Sequence, residues 1–164
     1  MSERDFLSDF QKSLSQQGPT LEQISFARKM VKEHLESLAL IHQAALAGNY
    51  DWAQKFEIPW FGKVKLPRIA FLLFEARLAG CAAYLEYLDG QYGKVLESLR
   101  DGFMIAEPCR GSRFLISEMI GEAIPKMLLT NVRRISRIPP NLLEKVLRPL
   151  LGPWGNRSKV WRYD

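Results

Sequence analysis

The chain has 164 residues, 47% of them apolar and 25% charged, a balance that predicts one globular domain with a real core and argues against a disordered chain. Cys81 and Cys109 lie 28 positions apart, too few and too separated for a disulfide framework or a zinc site. The net charge of +5 is unevenly placed: residues 126–164 carry nine Lys or Arg against Glu144 and Asp164, which leaves residues 1–125 at −2.

Met1-Ser-Glu-Arg-Asp-Phe lacks the apolar core of a secretory signal, so a cytoplasmic chain with free thiols is expected. From Ser2 to Gln17 the spacing of Phe6, Leu7, Phe10 and Leu14 predicts an amphipathic helix, placed at the periphery of the domain (residues 1–18) and ended by Gly18-Pro19. Thr20-Leu-Glu-Gln23 fits a capping box, in which the Thr hydroxyl and the Gln side chain satisfy amides that a first helical turn leaves open. One long helix is predicted to follow, because Leu21, Ile24, Ala27, Val31, Leu35, Leu38, Ile41 and Ala45 recur every three or four residues as far as Gly48.

Tyr50 to Phe56 reads as a short helix, and Ile58 to Pro67 as an irregular stretch held open by two prolines and a glycine. Trp60 and Phe61 within it are expected to plug one end of the core, or to bind a partner if they are exposed. Ile69 to Leu88 is the most apolar run, yet Glu75, Arg77 and Glu86 interrupt it, so no membrane span is predicted. Its small residues Ala76, Ala79, Gly80, Ala82 and Ala83 are expected to admit another helix at close range. Asp89-Gly-Gln-Tyr92 closes a hairpin, whose second arm is expected to bury Tyr92, Val95, Leu96, Leu99, Phe103 and Ala106.

A further helical pattern runs from Arg113 to Val132 with Pro125 inside it, where a kink is expected. Pro139-Pro-Asn141 opens a last short helix to Leu150, and residues 151–164 form an irregular basic and aromatic tail. No pattern of period two persists. The fold class is therefore all-α: antiparallel helical hairpins packed as a small bundle, or as a short array, within residues 1–150.

Two resemblances rest on these motifs. Gly90-Gln-Tyr92 after a small-residue helix, followed by Val95, Leu99 and Gly102, resembles a degenerate tetratricopeptide unit, although Ala79 and Glu86 stand where that motif favours aromatics and Pro108 comes one residue late. Residues 49–150, with Tyr50-Asp-Trp52, Leu66-Pro67, Leu88-Asp-Gly-Gln-Tyr92, Glu107-Pro108 and Leu115-Ile-Ser-Glu-Met-Ile-Gly121, resemble a group of uncharacterised bacterial helical proteins. That likeness implies a fold and no activity. The relatives have an apolar membrane-anchoring N-terminus, whereas Ser2 to Gln17 is polar.

Residues with chemical potential are scattered. His34 and His42 are eight apart on one predicted helix, too distant to share a metal, and Cys109 beside Arg110 has the better case for a lowered thiol pKa while Cys81 reads as a small buried hydrophobe. Among Glu75, Glu86, Glu118 and Glu122, one or two are expected to be partly buried with raised pKa values, and an acid-base enzyme would need Glu75 to face Glu118 or Glu122. No glycine sits in a strand-to-helix phosphate loop. No catalytic residue, cofactor or metal site is assigned. The reading is a non-enzymatic module for a protein or peptide partner or for self-association; its alternative is a binder of nucleic acid or another acidic surface through Arg133, Arg134, Arg137, Arg157, Lys159 and Arg162.

Overall fold

The computed structural model describes residues 2–47, 69–109 and 115–135. Among them are six α-helices and no strand, an all-α bundle as expected.

The first helix, α1 (Glu3–Ser15), is capped by Ser2, whose Oγ accepts the Asp5 amide at 3.2 Å, and Glu3 and Asp5 place negative charge at the positive end of the helix. Its end is closed by the Gly18 amide donating to the Ser13 carbonyl at 2.8 Å, with Gly18 at φ +94°. This helix is not peripheral. Phe6, Leu7, Phe10 and Leu14 are each no more than 2% exposed and pack against Ala27, Met30, Leu78, Cys81 and Leu85.

The capping box forms at Thr20 and Gln23 and starts α2 (Leu21–Glu33). The predicted single long helix is instead two. At His34 the backbone leaves the helical range (φ −108°, ψ 19°), and α3 (Leu35–Ala47) begins at the next residue. The inward stripe survives the break in Ile24, Ala27, Val31, Leu38, Ile41 and Ala45, all buried or half-buried, but Leu21 and Leu35, expected within it, are 85% and 57% exposed. What changes is the neighbour: α2 packs against the α1 side of the bundle and α3 against the α5 side, and one straight rod cannot follow both.

The longest apolar run forms α4 (Ile69–Leu88), the axis of the bundle, which touches every other helix. It turns into α5 (Tyr92–Met104) through Asp89, Gly90 and Gln91. The Gln91 amide reaches the Glu86 carbonyl at 2.8 Å and the Gly90 amide reaches Tyr87 at 3.0 Å, while Gly90 takes φ +73°. This paired closure satisfies carbonyls that the helix end leaves open and requires the left-handed residue that glycine supplies. Arg28 of α2 grips the turn through a bidentate pair with Asp89, one arm at 2.8 Å. A single 3-10 turn, Glu107–Cys109, follows α5.

The last described helix, α6 (Leu115–Arg134), runs through Pro125 without interruption. It lies on the small residues of the hairpin, where Leu128 is wedged between Gly80 and Gly102: a Cβ on Gly80 would meet Leu128 Cδ2 at 3.1 Å, and one on Gly102 would meet Cδ1 at 3.0 Å. Of the small residues expected to admit a close neighbour, Gly80 receives α6, while Ala79 lies against Gly102 of α5. No described helix is long and apolar enough to cross a membrane.

Candidate functional site

Most of the predicted site residues fall outside the described segments: Trp60, Phe61, Arg137, Arg157 and Lys159 with Arg162. Of the remaining two, Arg133 is exposed at the end of α6. Its neighbour Arg134 has a different task. The guanidinium donates from Nε to the Leu14 carbonyl and from a terminal nitrogen to the Gln16 carbonyl, capping the C-terminal end of α1. A cation there satisfies open carbonyls and meets the negative end of the helix dipole.

The two histidines go to separate carboxylates. His34 Nε2 stands 3.3 Å from Glu3 Oε2, and the His34 ring meets Phe74 edge-on at 5.5 Å. His42 Nδ1 stands 2.7 Å from Asp101 Oδ2, which brings α3 to α5. The other oxygen of Asp101 accepts from Arg100 Nε and a terminal nitrogen at 3.3 and 3.2 Å. Asp101 is 7% exposed, so this His-Asp-Arg cluster is the best-sheltered polar contact between those helices. It has no counterpart in the sequence reading, because 59 residues separate its two ends and neither end carries a motif.

Glu75 is buried and Glu86 half-buried, in line with the expectation that one or two of the four glutamates are partly buried. Desolvation raises the pKa of Glu75 and, more weakly opposed by the hydroxyl of Ser98 at 2.8 Å, that of Glu86, which also feels the negative charges of Glu97 and Asp101. The facing pair that acid-base chemistry requires is not made. The charge acting on Glu75 is that of His34; Glu122 is exposed and bridges to Lys126 at 3.4 Å, and Glu118 bears on Cys109. No group of three or more His, Cys, Asp or Glu among the described residues suits a metal ion.

The thiols are inert by burial. Cys81 is pushed up to about 12 in the core beside α1, and Cys109, expected to be lowered by Arg110, is raised by burial and by Glu118.

The most conspicuous surface is on α3. None of its side chains is fully buried, and Leu35, Leu40 and Leu46 are 57%, 60% and 62% exposed. Ala39, Ala44 and Ala47 extend the same outer arc, on which Glu36 and Gln43 are the only polar residues. Phe71, in the first turns of α4, adds an exposed ring. The stripe analysis identified the inward half of this helix in Leu38, Ile41 and Ala45 and wrongly placed Leu35 with it. The outer half was legible in principle, since Leu-Ala-Leu at 38–40 and Ala-Ala-Leu-Ala at 44–47 leave too few polar residues to cover a solvent face.

Comparison of the chain with protein-family models, curated proteins and solved structures found no match.

Proposed function

We propose that this chain is a non-enzymatic helical protein-interaction module, of the tetratricopeptide-like kind that its hairpin resembles, with α3 as the docking element. The observation that carries the reading is the outer face of α3, where three leucines stand more than half exposed on one short helix. Burying a leucine fully is worth roughly 1.5–3 kcal/mol, so a partner that covers these three gains several kcal/mol from a surface that stands open among the described residues. The His42–Asp101 contact supports this by fixing α3 from its inner side, which leaves the outer arc free to meet an amphipathic helix or peptide. The dispersal of the titratable groups, with His34 and His42 held by separate carboxylates, supports the non-enzymatic half of the reading.

The test is site-specific photocrosslinking in the native host. A photoreactive residue at Leu40 or Leu46 is expected to give discrete protein adducts that Leu35→Glu abolishes, while the same residue at Lys29 gives none. Adducts of equal yield at all three positions, or none at Leu40 and Leu46, would sink the proposal.

A further inference from the structure

His42 presents a ring nitrogen that no described residue uses. Its Nδ1 stands 2.7 Å from Asp101 Oδ2, and among the described residues no group bonds to Nε2. The buried side-chain atoms without a partner are Glu75 Oε2, Arg77 Nε and Asn131 Nδ2, so the unpartnered Nε2 of His42 is not buried, in keeping with a side chain 38% exposed. The inner nitrogen is anchored in the bundle and the outer one meets water.

The anchoring bond fixes which nitrogen carries the proton. Asp101 is buried, and its other oxygen accepts from Arg100 at 3.3 and 3.2 Å, so towards His42 it acts as an acceptor and Nδ1 donates. A terminal nitrogen of Arg100 lies 3.4 Å from the same Nδ1, but a guanidinium only donates, and the 2.7 Å contact decides the partner. With the proton held on Nδ1, the neutral ring keeps its lone pair on Nε2, the solvent side. In free histidine the proton exchanges between the two nitrogens; Asp101 removes the form in which Nε2 is blocked.

A lone pair on a fixed, solvent-facing imidazole is a nucleophile that needs no other residue of this chain. The electrophile that suits these surroundings is a phosphoryl group. As Nε2 attacks phosphorus, the N–P bond forms while the bond to the leaving group breaks, and the electron pair departs with that group. No proton has to move, because Nδ1 keeps its own; the ring becomes a cation, and its charge falls against the Asp101 carboxylate. Arg100 offsets that carboxylate, so an incoming phosphate is not repelled as it would be by a bare acid.

We propose that His42 is a phosphoryl-acceptor site, modified on Nε2 by a donor of the acyl phosphate or phosphoramidate class, with Asp101 as its positioning residue. The carboxylate or the ammonia of the donor is the leaving group. The site stands independently of docking on α3, and it lies one helical turn from Leu46, so a phosphorylated ring sets negative charge beside the apolar arc.

Potassium phosphoramidate tests the site on the intact chain at mildly alkaline pH, with the product followed by phosphorus NMR and located by mass spectrometry. His42 is expected to be phosphorylated on Nε2 alone, about fivefold faster than the Nε2 of N-acetylhistidine, since the competing tautomer is absent. His34, whose Nε2 stands at Glu3, should not exceed the model compound. An asparagine amide can donate to Nδ1 and move the proton to Nε2, so Asp101→Asn should bring the rate to that of the model compound or below it, whether α3 stays in place or loosens. A rate at His42 no greater than that of N-acetylhistidine, phosphorylation of its Nδ1, or a rate unchanged in Asp101→Asn would overturn the proposal.

Discussion

The side-chain amide of Asn131 occupies the space that a methyl group on Gly80 would need, since a Cβ built there lies 2.3 Å from Asn131 Nδ2. Asn131 is fully buried, and its Oδ1 accepts from Gln11 Nε2 at 2.7 Å, so the contact joins α4 and α6 to α1. Gly80→Ala is expected to push Asn131 off Gln11 and destabilise the fold by about 1–3 kcal/mol. Gly102→Ala, which meets the end of the Leu128 side chain and, at an ordinary 3.5 Å, the Cβ of Ala79, should cost about 1 kcal/mol. Gly93→Ala on α5 meets nothing within 4 Å and should gain about 0.5 kcal/mol from helix propensity. Urea denaturation at constant m-value ranks the three, and a Gly80→Ala midpoint equal to that of Gly93→Ala would refute the close packing of α6 on α4.

Arg133 and Arg134 are adjacent but should behave differently. Arg134→Met removes both donors from the end of α1 and is expected to cost about 1 kcal/mol, a figure discounted for the partial exposure of the side chain. Arg134→Lys should restore only part of this, because an ammonium is a point charge and not a planar fork. Arg133→Met should lie within about 0.5 kcal/mol of the parent chain. Thermal melts of the three variants decide the matter; equal losses at both positions would contradict the capping role.

The half-buried Glu86 makes stability depend on pH in a definite direction. Its folded-state pKa is raised, so the folded chain binds that proton more tightly than the unfolded chain does. The resulting stabilisation is fully present below the ordinary glutamate range, near 4.5, and is lost as pH rises through the folded-state value. Glu86→Gln keeps an acceptor for Ser98 and removes the titration. The variant should therefore gain on the parent as pH rises from 4 to 8, read from melting temperatures across the range; a constant offset would show that Glu86 does not titrate abnormally.

Asp101 is predicted to hold α3 in place. α3 contributes no fully buried residue, so its attachment rests on half-buried Leu38, Ile41 and Ala45 and on the His42–Asp101 pair. Asp101→Ala leaves His42 and Arg100 without their acceptor and should cost about 1–3 kcal/mol. Hydrogen exchange should quicken in α3 well before α4 or α6 is affected. Uniform acceleration through all helices would place Asp101 in the global core instead.

How much of this was legible from sequence follows the range over which each feature acts. The apolar face of α1, the Thr20–Gln23 box and the Asp89–Gln91 turn are set by residues within one or two helical turns, and all appear as read. The small residues of α4 announced a close neighbour without naming it. The break at His34 was not readable, because it contains neither glycine nor proline and arises where two helices change their packing partners. Arg134 looked like one more basic residue near a terminus; its role depends on carbonyls 118 and 120 positions away. Cys109 was misjudged for a related reason: the sequence shows the arginine beside it but not the burial that outweighs that charge.

The placement of α1 bears on how the chain must be made. Its interior contacts join Gln11 to Met127 and Asn131, 116 and 120 residues further on, and Arg134 to Leu14. Contacts so distant in sequence form late and slow the search for the native state. The apolar face of α1 finds its cover on α2 and α4, at Ala27, Met30, Leu78, Cys81 and Leu85, before α6 is made, whereas Gln11 and the carbonyls at the end of α1 lack their partners until Met127, Asn131 and Arg134 have been added. A growing chain therefore carries α1 with its polar contacts open until α6 is complete, which makes a stall before α6 more harmful than one after it.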